Sequence, residues 1–335
     1  MSRYFAWVLS CALLVATGCD AESNGEGSDG QTITVAMMPK LINIDYFDAC
    51  ERGGRKAAGE LGIEFIFDGP TTASASEQVK FIETWIKQRV DAICVAPNQP
   101  KSIGKFVERA QEAGIKVLTW DTDAAESGRD LMVNQVDDKV LGQQLIDDLA
   151  DQMGGTGKWA VVIGSLDATN LNSWRRHAEA RAQEKYPGLE LVQTVVTNEN
   201  ENEARQKVET LLNAVPDLKG MIAFDSNSVP GAAEALRRQG KGGQIALVGN
   251  STPNKMRPYI KDGTLQSFYL WDPRALGALT VRLAHSLVTG ATLEPGSQIA
   301  GHGPLVFSEN DSKMVILSPP IRFTRENIDE YDFGI

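Results

Sequence analysis

Asp121 ends an apolar run. Over 114–123 the chain reads Gly-Ile-Lys-Val-Leu-Thr-Trp-Asp-Thr-Asp, so a β-branched stretch stops abruptly at two carboxylates, Asp121 and Asp123. Similar breaks recur along the chain. Lys40, Tyr46 and Phe47 follow the first apolar run, Asn170, Asn172 and Trp174 follow a later one, and Asp225, Asn250 and Trp271 each stand directly after another. Carboxylates and amides accept from and donate to vicinal hydroxyls, and aromatic faces cover the C–H faces of a ring. This mixture suits a sugar. A buried site built for hydroxyls rejects analogues that lack them, because its own polar groups would go unpaired. Strand-end Asp and Asn also cap helices and make Asx turns, which is the ordinary alternative for each residue singly. It is a weaker account of a set spread over both halves of the chain.

The elements that must position these residues alternate. Strands are predicted over 32–38, 63–67, 91–96 and 115–120, separated by amphipathic helices over roughly 48–61, over 76–88 and up to Gly114. A short strand over 131–135 and a helix over 138–152 restart the pattern. Strands over 159–164, 189–196, 220–224 and 245–249 then alternate with helices from about 173, over 201–214 and over 229–239. A strand over 265–270, taken as a crossing back towards the first half, a helix over 276–289 and a last strand over 314–317 complete the reading, with 293–312 unassigned and Pro319-Pro320 barring helix. Buried strands alternating with amphipathic helices argue for an α/β fold of parallel sheets covered on both faces. In such sheets ligands bind outside the carboxyl ends of the strands, which is where Asp121 and its companions stand. At 335 residues two lobes are expected. The first takes 31–130 plus about 272–300, and the second takes 131–271 plus part of 301–335.

The net charge of −11 argues against a nucleic-acid partner or attachment to an anionic membrane by charge. Enzyme signatures fail on spacing. Gly154-Gly155-Thr156-Gly157-Lys158 lacks the length of a phosphate loop, carries Trp159 where Ser or Thr is required, and precedes a strand. No Gly-x-Gly-x-x-Gly follows the first strand and there is no Gly-x-Ser-x-Gly elbow. His177, His285 and His302 are far apart, without metal-type spacing. No cofactor, no metal and no catalysis are expected.

Residues 1–18 read as a signal segment, with Arg3 followed by an apolar run too short to span a bilayer as a helix. The run ends in Val15-Ala16-Thr17-Gly18-Cys19, which resembles a bacterial lipobox and makes Cys19 the expected lipidation site. The Gly-, Ser- and acid-rich stretch over 19–30 reads as a flexible tether. Cys50 and Cys94, in a predicted helix and strand, read as small buried hydrophobes, with a bridge between them the alternative.

Several stretches resemble a known family: Pro39-Lys40-Leu41, Asp68-Gly69-Pro70-Thr71, Leu118 to Asp123, Ser251 to Tyr259, Leu270-Trp271-Asp272 and Glu326 to Phe333. Together the chain resembles type I periplasmic binding proteins, the solute receptors of bacterial sugar ABC transporters, and most of all the autoinducer-2 and rhamnose-type receptors. The resemblance implies two Rossmann-like doubly wound lobes, a ligand cleft at a three-crossing hinge, closure on a small solute, and a permease as partner. A monomeric, extracytoplasmic protein held to the membrane by its lipid alone is expected. The binding Lys and first Asp of autoinducer-2 receptors match Lys40 and Asp121. Their Asp-Gln pair falls on Asn170-Leu171, and their Pro and Ala fall on Phe224 and Ser226. Losing that carboxylate and amide removes polar contacts expected for autoinducer-2. Against ribose-type receptors, Tyr46 and Phe47 fall near the stacking aromatics, and Asp121, Asp225, Asn250 and Trp271 near polar ligand positions. The expected ligand is therefore a monosaccharide or related polyol, with an altered autoinducer-2 receptor as the alternative.

Overall fold

The structure, a computed structural model, describes Met1 and residues 32–334. The expected signal segment after Met1, Cys19 and the tether to residue 30 lie outside the described residues. In chain order the first half runs β1 (Thr34–Met38), α1 (Asp45–Leu61), β2 (Glu64–Phe67), α2 (Ala75–Gln88), β3 (Ala92–Val95), α3 (Gly104–Glu112), β4 (Lys116–Trp120) and β5 (Leu131–Asn134). The second runs α4 (Asp138–Met153), β6 (Gly157–Ile163), α5 (Thr169–Lys185), β7 (Leu189–Val196), α6 (Glu201–Ala214), β8 (Leu218–Ala223), α7 (Ser228–Arg238), β9 (Ala246–Gly249), α8 (Pro253–Lys261) and β10 (Ser267–Leu270). The rest comprises α9 (Pro273–Val288), the two-residue strands β11 (Gln298–Ile299), β12 (Gly303–Pro304) and β13 (Val306–Phe307), then β14 (Met314–Ile316) and β15 (Ile321–Thr324).

Two parallel sheets carry the fold. The first has the order β13-β14-β5-β4-β3-β1-β2, with β13 alone antiparallel, and the second β7-β6-β8-β9. Alternation along a strand sends side chains to opposite faces. On β1, Val35 and Met37 join Cys94, Leu118 and the apolar faces of α1 and α9, whereas Ala36 and Met38 join Ile93, Val95 and α2 and α3. On the second sheet Trp159 to Ile163 is buried throughout, and α4 packs with α5 and α6 with α7. Side-chain caps start several helices where the sequence signals them: Ser74 accepts from Glu77 N, Asp137 from Val140 N, and Asn200 from Glu203 N.

The chain passes between the two sheets three times, at 135–137, 271–272 and 317–320. The expected lobe boundaries shift in two places. Leu131–Asn134, expected to open the second lobe, pairs with β4 and β14 in the first sheet, and 306–316 belongs there too. The β5 register, Leu131 against Leu118, buries a largely apolar strand that needs neighbours on both sides. β10 does not itself cross back. It pairs antiparallel with β15 and bridges the end of β9 through Asn250 and Tyr269, and the crossing follows it at Trp271. The helix α8 is unexpected, because Pro253 and Pro258 hide it; Pro253 occupies the first helical turn, where no amide hydrogen is needed. Cys50 and Cys94 are buried free thiols, as the sequence reading favoured.

Helices α1 and α9 touch backbone to backbone. A Cβ at Gly53 would lie 1.9 Å from the Arg274 carbonyl oxygen, and one at Gly277 1.9 Å from that of Cys50. This contact holds the start of α1 against the chain leaving Trp271. Gly53→Ala should therefore destabilise the protein by about 1–3 kcal/mol. Gly59→Ala, on the exposed side of the same helix with nothing within 4 Å, should stabilise it by about 0.5–1 kcal/mol. Urea denaturation of both variants checks the pair; effects of the same sign would remove the close-approach account.

Candidate ligand-binding site

The carboxyl ends of β1, β4, β7, β8, β9 and β10 converge on one small cavity of about 30 Å³. It is lined by Lys40, Tyr46, Phe47 and Asp121 from the first-sheet side, and by Asn170, Trp174, Glu199, Asp225, Asn250 and Trp271 from the second-sheet side and the crossing after it. Tyr46 is its hub. The phenol donates to Asp121 Oδ1 at 2.8 Å and accepts from Trp271 Nε1 at 3.0 Å. The rings of Phe47 and Trp271 meet Tyr46 edge-on at 5.0 and 5.9 Å, and Trp174 lies 5.7 Å from Trp271. Across the cavity Lys40 Nζ meets Glu199 Oε1 at 2.6 Å, and both side chains are buried.

Backbone strain sets two of the carboxylates. Asp121 has φ 60° in a tight turn where Thr122 N donates to Trp120 O at 2.6 Å. Glu199 has φ 54° and follows Asn198 at 56°. Left-handed backbone is costly for side-chain-bearing residues and persists where surrounding contacts over-determine it. Asp121 is held by Tyr46 and by Thr122 Oγ1 at 3.2 Å. The Glu199 backbone carbonyl accepts from Asn227 Nδ2 at 2.8 Å.

Nine of the eleven residues singled out from sequence line this cavity; Asp123 and Asn172 do not. Asp123 forms an ion pair with Arg129, Oδ1 to Nε at 2.5 Å, and accepts from Thr119 Oγ1 at 2.6 Å, in an adjoining outer groove that shares Asp121 and Asn170 with the cavity. The Asn172 amide donates to the carbonyls of Leu166 and Ala168, both at 2.8 Å, and so shapes the entry of α5. Both do the structural work open to strand-end Asp and Asn. Glu199 was missed. It stands three residues after β7, but the acidic, amide-rich run Asn198 to Glu203 reads as a solvated helix start.

A family description, periplasmic binding protein domain, matches residues 35–292. The chain belongs to the periplasmic binding protein family. Among its relatives, the ribose import binding protein RbsB of Bacillus subtilis is 24% identical over 303 residues, covering 88% of this chain and 96% of that protein. LsrB from Clostridium saccharobutylicum, solved in complex with AI-2, is 28% identical, with a TM-score of 0.84 over 90% of this chain and all of that one. An ABC transporter solute binding protein from Clostridium phytofermentas, solved with bound L-rhamnose, is 27% identical, with a TM-score of 0.83 over 90% of this chain and 98% of that one. These relatives are binding proteins rather than enzymes. The family accounts for the two-sheet, three-crossing architecture. Nearly equal likeness to relatives that bind different solutes leaves the ligand to be argued from this cavity.

The electrostatics of this family member's cavity are uneven. Burial alone would depress the Lys40 ammonium, but Glu199, Asp121 and Asp225 outweigh it and hold Lys40 above its ordinary range. Burial pushes Asp121 up, against the pull of Lys40 and Tyr46. Asp225 is pushed up to about 6, first by burial and then by repulsion from Glu199, although Ser228 and Lys40 oppose the shift. Its Oδ1 accepts from the backbone amides of Asn227 and Ser228 at 3.1 and 2.8 Å, while its Oδ2 has no hydrogen-bond partner among the described residues. Asn250 Oδ1 is equally without one.

A carboxyl whose folded value lies above its ordinary 3.8 holds its proton longer in the folded state, so stability falls as pH rises through the window from 3.8 to about 6. The cost at neutral pH is up to about 3 kcal/mol. Asp225→Asn should therefore raise the melting temperature of the ligand-free protein at pH 7.5 and change it little at pH 4. Calorimetry at the two pH values checks this, and an equal effect at both would refute the buried-charge account.

Proposed function

We propose that the chain is a lipid-anchored extracytoplasmic receptor that binds a monosaccharide or related polyol between its two sheets and delivers it to an ABC permease. The observation that carries this reading is the pairing of two orphaned buried acceptors, Asp225 Oδ2 and Asn250 Oδ1, with walls of Tyr46, Phe47, Trp174 and Trp271. A buried acceptor left unsatisfied costs about 1–3 kcal/mol, and a ligand hydroxyl relieves it. The aromatic rings cover the apolar face of a sugar ring. Ribose and L-rhamnose, named with two relatives, are solutes of this chemistry. Lys40 would donate to a ring or hydroxyl oxygen, Asp121 would accept from a hydroxyl, and Asn170 would add an amide.

A cavity of about 30 Å³ has room for about two waters. A sugar therefore enters by separation of the walls, and binding favours the closed arrangement because only there does it touch both sides. Cys19 supplies the anchor, and the protein acts as a monomer. The alternative solute, AI-2, is favoured by the likeness to LsrB. Leu171 opposes it, since an apolar side chain stands where the autoinducer-2 receptors present an amide.

The test is a thermal-shift screen of residues 20–335 with sugars, polyols and AI-2. A specific solute should stabilise the fold by about 2.7 kcal/mol at one hundred times its dissociation constant. The shift should come from a monosaccharide or polyol and vanish in Asp121→Ala. A shift with AI-2 alone would replace the reading with the signalling one.

A further inference from the structure

The charges around the cavity do not balance. Its walls carry one ammonium, Lys40, and three carboxylates, Asp121, Glu199 and Asp225, all buried. Lys40 is committed to Glu199 by the 2.6 Å contact. Asp121 has both oxygens occupied by neutral donors, Tyr46 and Thr122. Asp225 has a pair of backbone amides on one oxygen and, among the described residues, no partner on the other. Among the described residues no other Lys or Arg lines the cavity. An excess of two negative charges in so small a space is costly unless something positive enters with the ligand.

The vacant hydrogen-bonding positions point the same way. Asp225 Oδ2 and Asn250 Oδ1 are both acceptors, and both residues are more than nine-tenths buried. The ligand group placed there must be a donor. A hydroxyl can satisfy one acceptor with its single hydrogen, whereas an ammonium brings three donors and a charge. Charge-assisted bonds are about twice as strong as neutral ones. Tyr46, Phe47, Trp174 and Trp271 also line the cavity, and an aromatic ring that meets the ligand by its face favours a cation over a neutral group.

We propose that the solute is a hydroxylated amine, an amino sugar or amino polyol, whose ammonium group lies against Asp225 and Asn250. This inference rests on the sugar-or-polyol reading above and narrows it. It assigns Asp225 as the specificity-determining residue and Asp121, with Tyr46, as the hydroxyl-binding one. Lys40 does not recruit an anion, because Glu199 already neutralises it. Uronates and sugar phosphates are excluded by the remaining carboxylates, a like-charge rejection that needs no steric clash.

The test is isothermal titration of residues 20–335 with matched pairs at pH 7.5. D-glucosamine, D-galactosamine, D-mannosamine and 1-amino-1-deoxysorbitol are compared with glucose, galactose, mannose and sorbitol, and with the N-acetylated amino sugars. At least one amine should bind about tenfold or more tighter than its neutral parent, equivalent to about 1.4 kcal/mol, and N-acetylation should abolish the gain. In Asp225→Asn the ratio of amine to parent affinity should fall towards unity, a readout that a general loss of binding would not produce. A neutral parent that binds as tightly as its amine, or a ratio unchanged in Asp225→Asn, overturns the inference and leaves the sugar reading standing. Binding by no sugar, polyol or amine overturns both.

Discussion

One buried ammonium serves three buried carboxylates, and the rest of the site is arranged around that shortage. Lys40 comes from the end of β1 and Glu199 from beyond β7, so their contact joins the two sheets across the cavity. Removing two ions from water costs several kcal/mol each, repaid only by good geometry and further hydrogen bonds. The geometry is good for Lys40 and Glu199, and incomplete for the others. Asp121 is stabilised by a phenol and a hydroxyl instead of a second cation. Asp225 relies on the first amides of α7 and leaves one oxygen bare. A fold seeking stability alone would place Asn at 225. A carboxylate there costs stability at neutral pH, which is characteristic of sites kept for binding.

The parts are positioned by elements that have little freedom. Tyr46 and Phe47 sit in the first turn of α1, and α1 is pinned to α9 through Gly53 and Gly277, the same helix that departs from Trp271. The Tyr46–Trp271 hydrogen bond is therefore fixed from both ends. Asp121 and Glu199 occupy left-handed backbone at strand ends, and Asn170 and Trp174 ride on the first turns of α5. Side chains anchored this way lose little further freedom when a solute arrives, so less of the interaction energy goes into ordering them.

How far the sequence could be read follows from these same placements. The strands and helices were legible because both sheets are parallel and covered, and such strands read as continuous apolar runs. Helix starts were legible at α2, α4 and α6, which Ser74, Asp137 and Asn200 cap with their side chains. They were read late at α1 and α5, whose N-caps, Ile44 and Ala168, make no side-chain cap bond, and also at α9, although Asp272 caps it ahead of Pro273. The opening turns of α1 and α5 carry Tyr46, Phe47, Asn170 and Trp174. Strand-end position found the carboxylates and amides but could not separate a residue facing the cavity from one occupied locally. Asp123 went to Arg129 and Asn172 to the carbonyls of Leu166 and Ala168. Glu199 escaped because its partner is Lys40, 159 positions away, and no local pattern encodes a pairing across that distance.

The same charge arrangement bears on how the cleft would close. Other polar contacts between the two sides include the buried pair Thr122 Oγ1 with Asn170 Oδ1 at 3.4 Å, Thr169 Oγ1 with Asp123 N and O at 3.2 and 3.1 Å, and, more exposed, Gln99 with Asp167 at 3.2 Å and Lys255 with Asp45 at 3.5 Å. Exposed pairs of this kind contribute about 0–1 kcal/mol each. On the proposed reading, the buried Lys40–Glu199 pair gains Coulomb energy on closure but brings Asp225 and Asp121 into the same small space, so part of that gain is returned as repulsion. A ligand that satisfies Asp225 and Asn250 removes the opposing term without altering the ion pair. On the proposed reading, the solute tips the equilibrium through differential affinity for the closed form, the only means by which a ligand can do so.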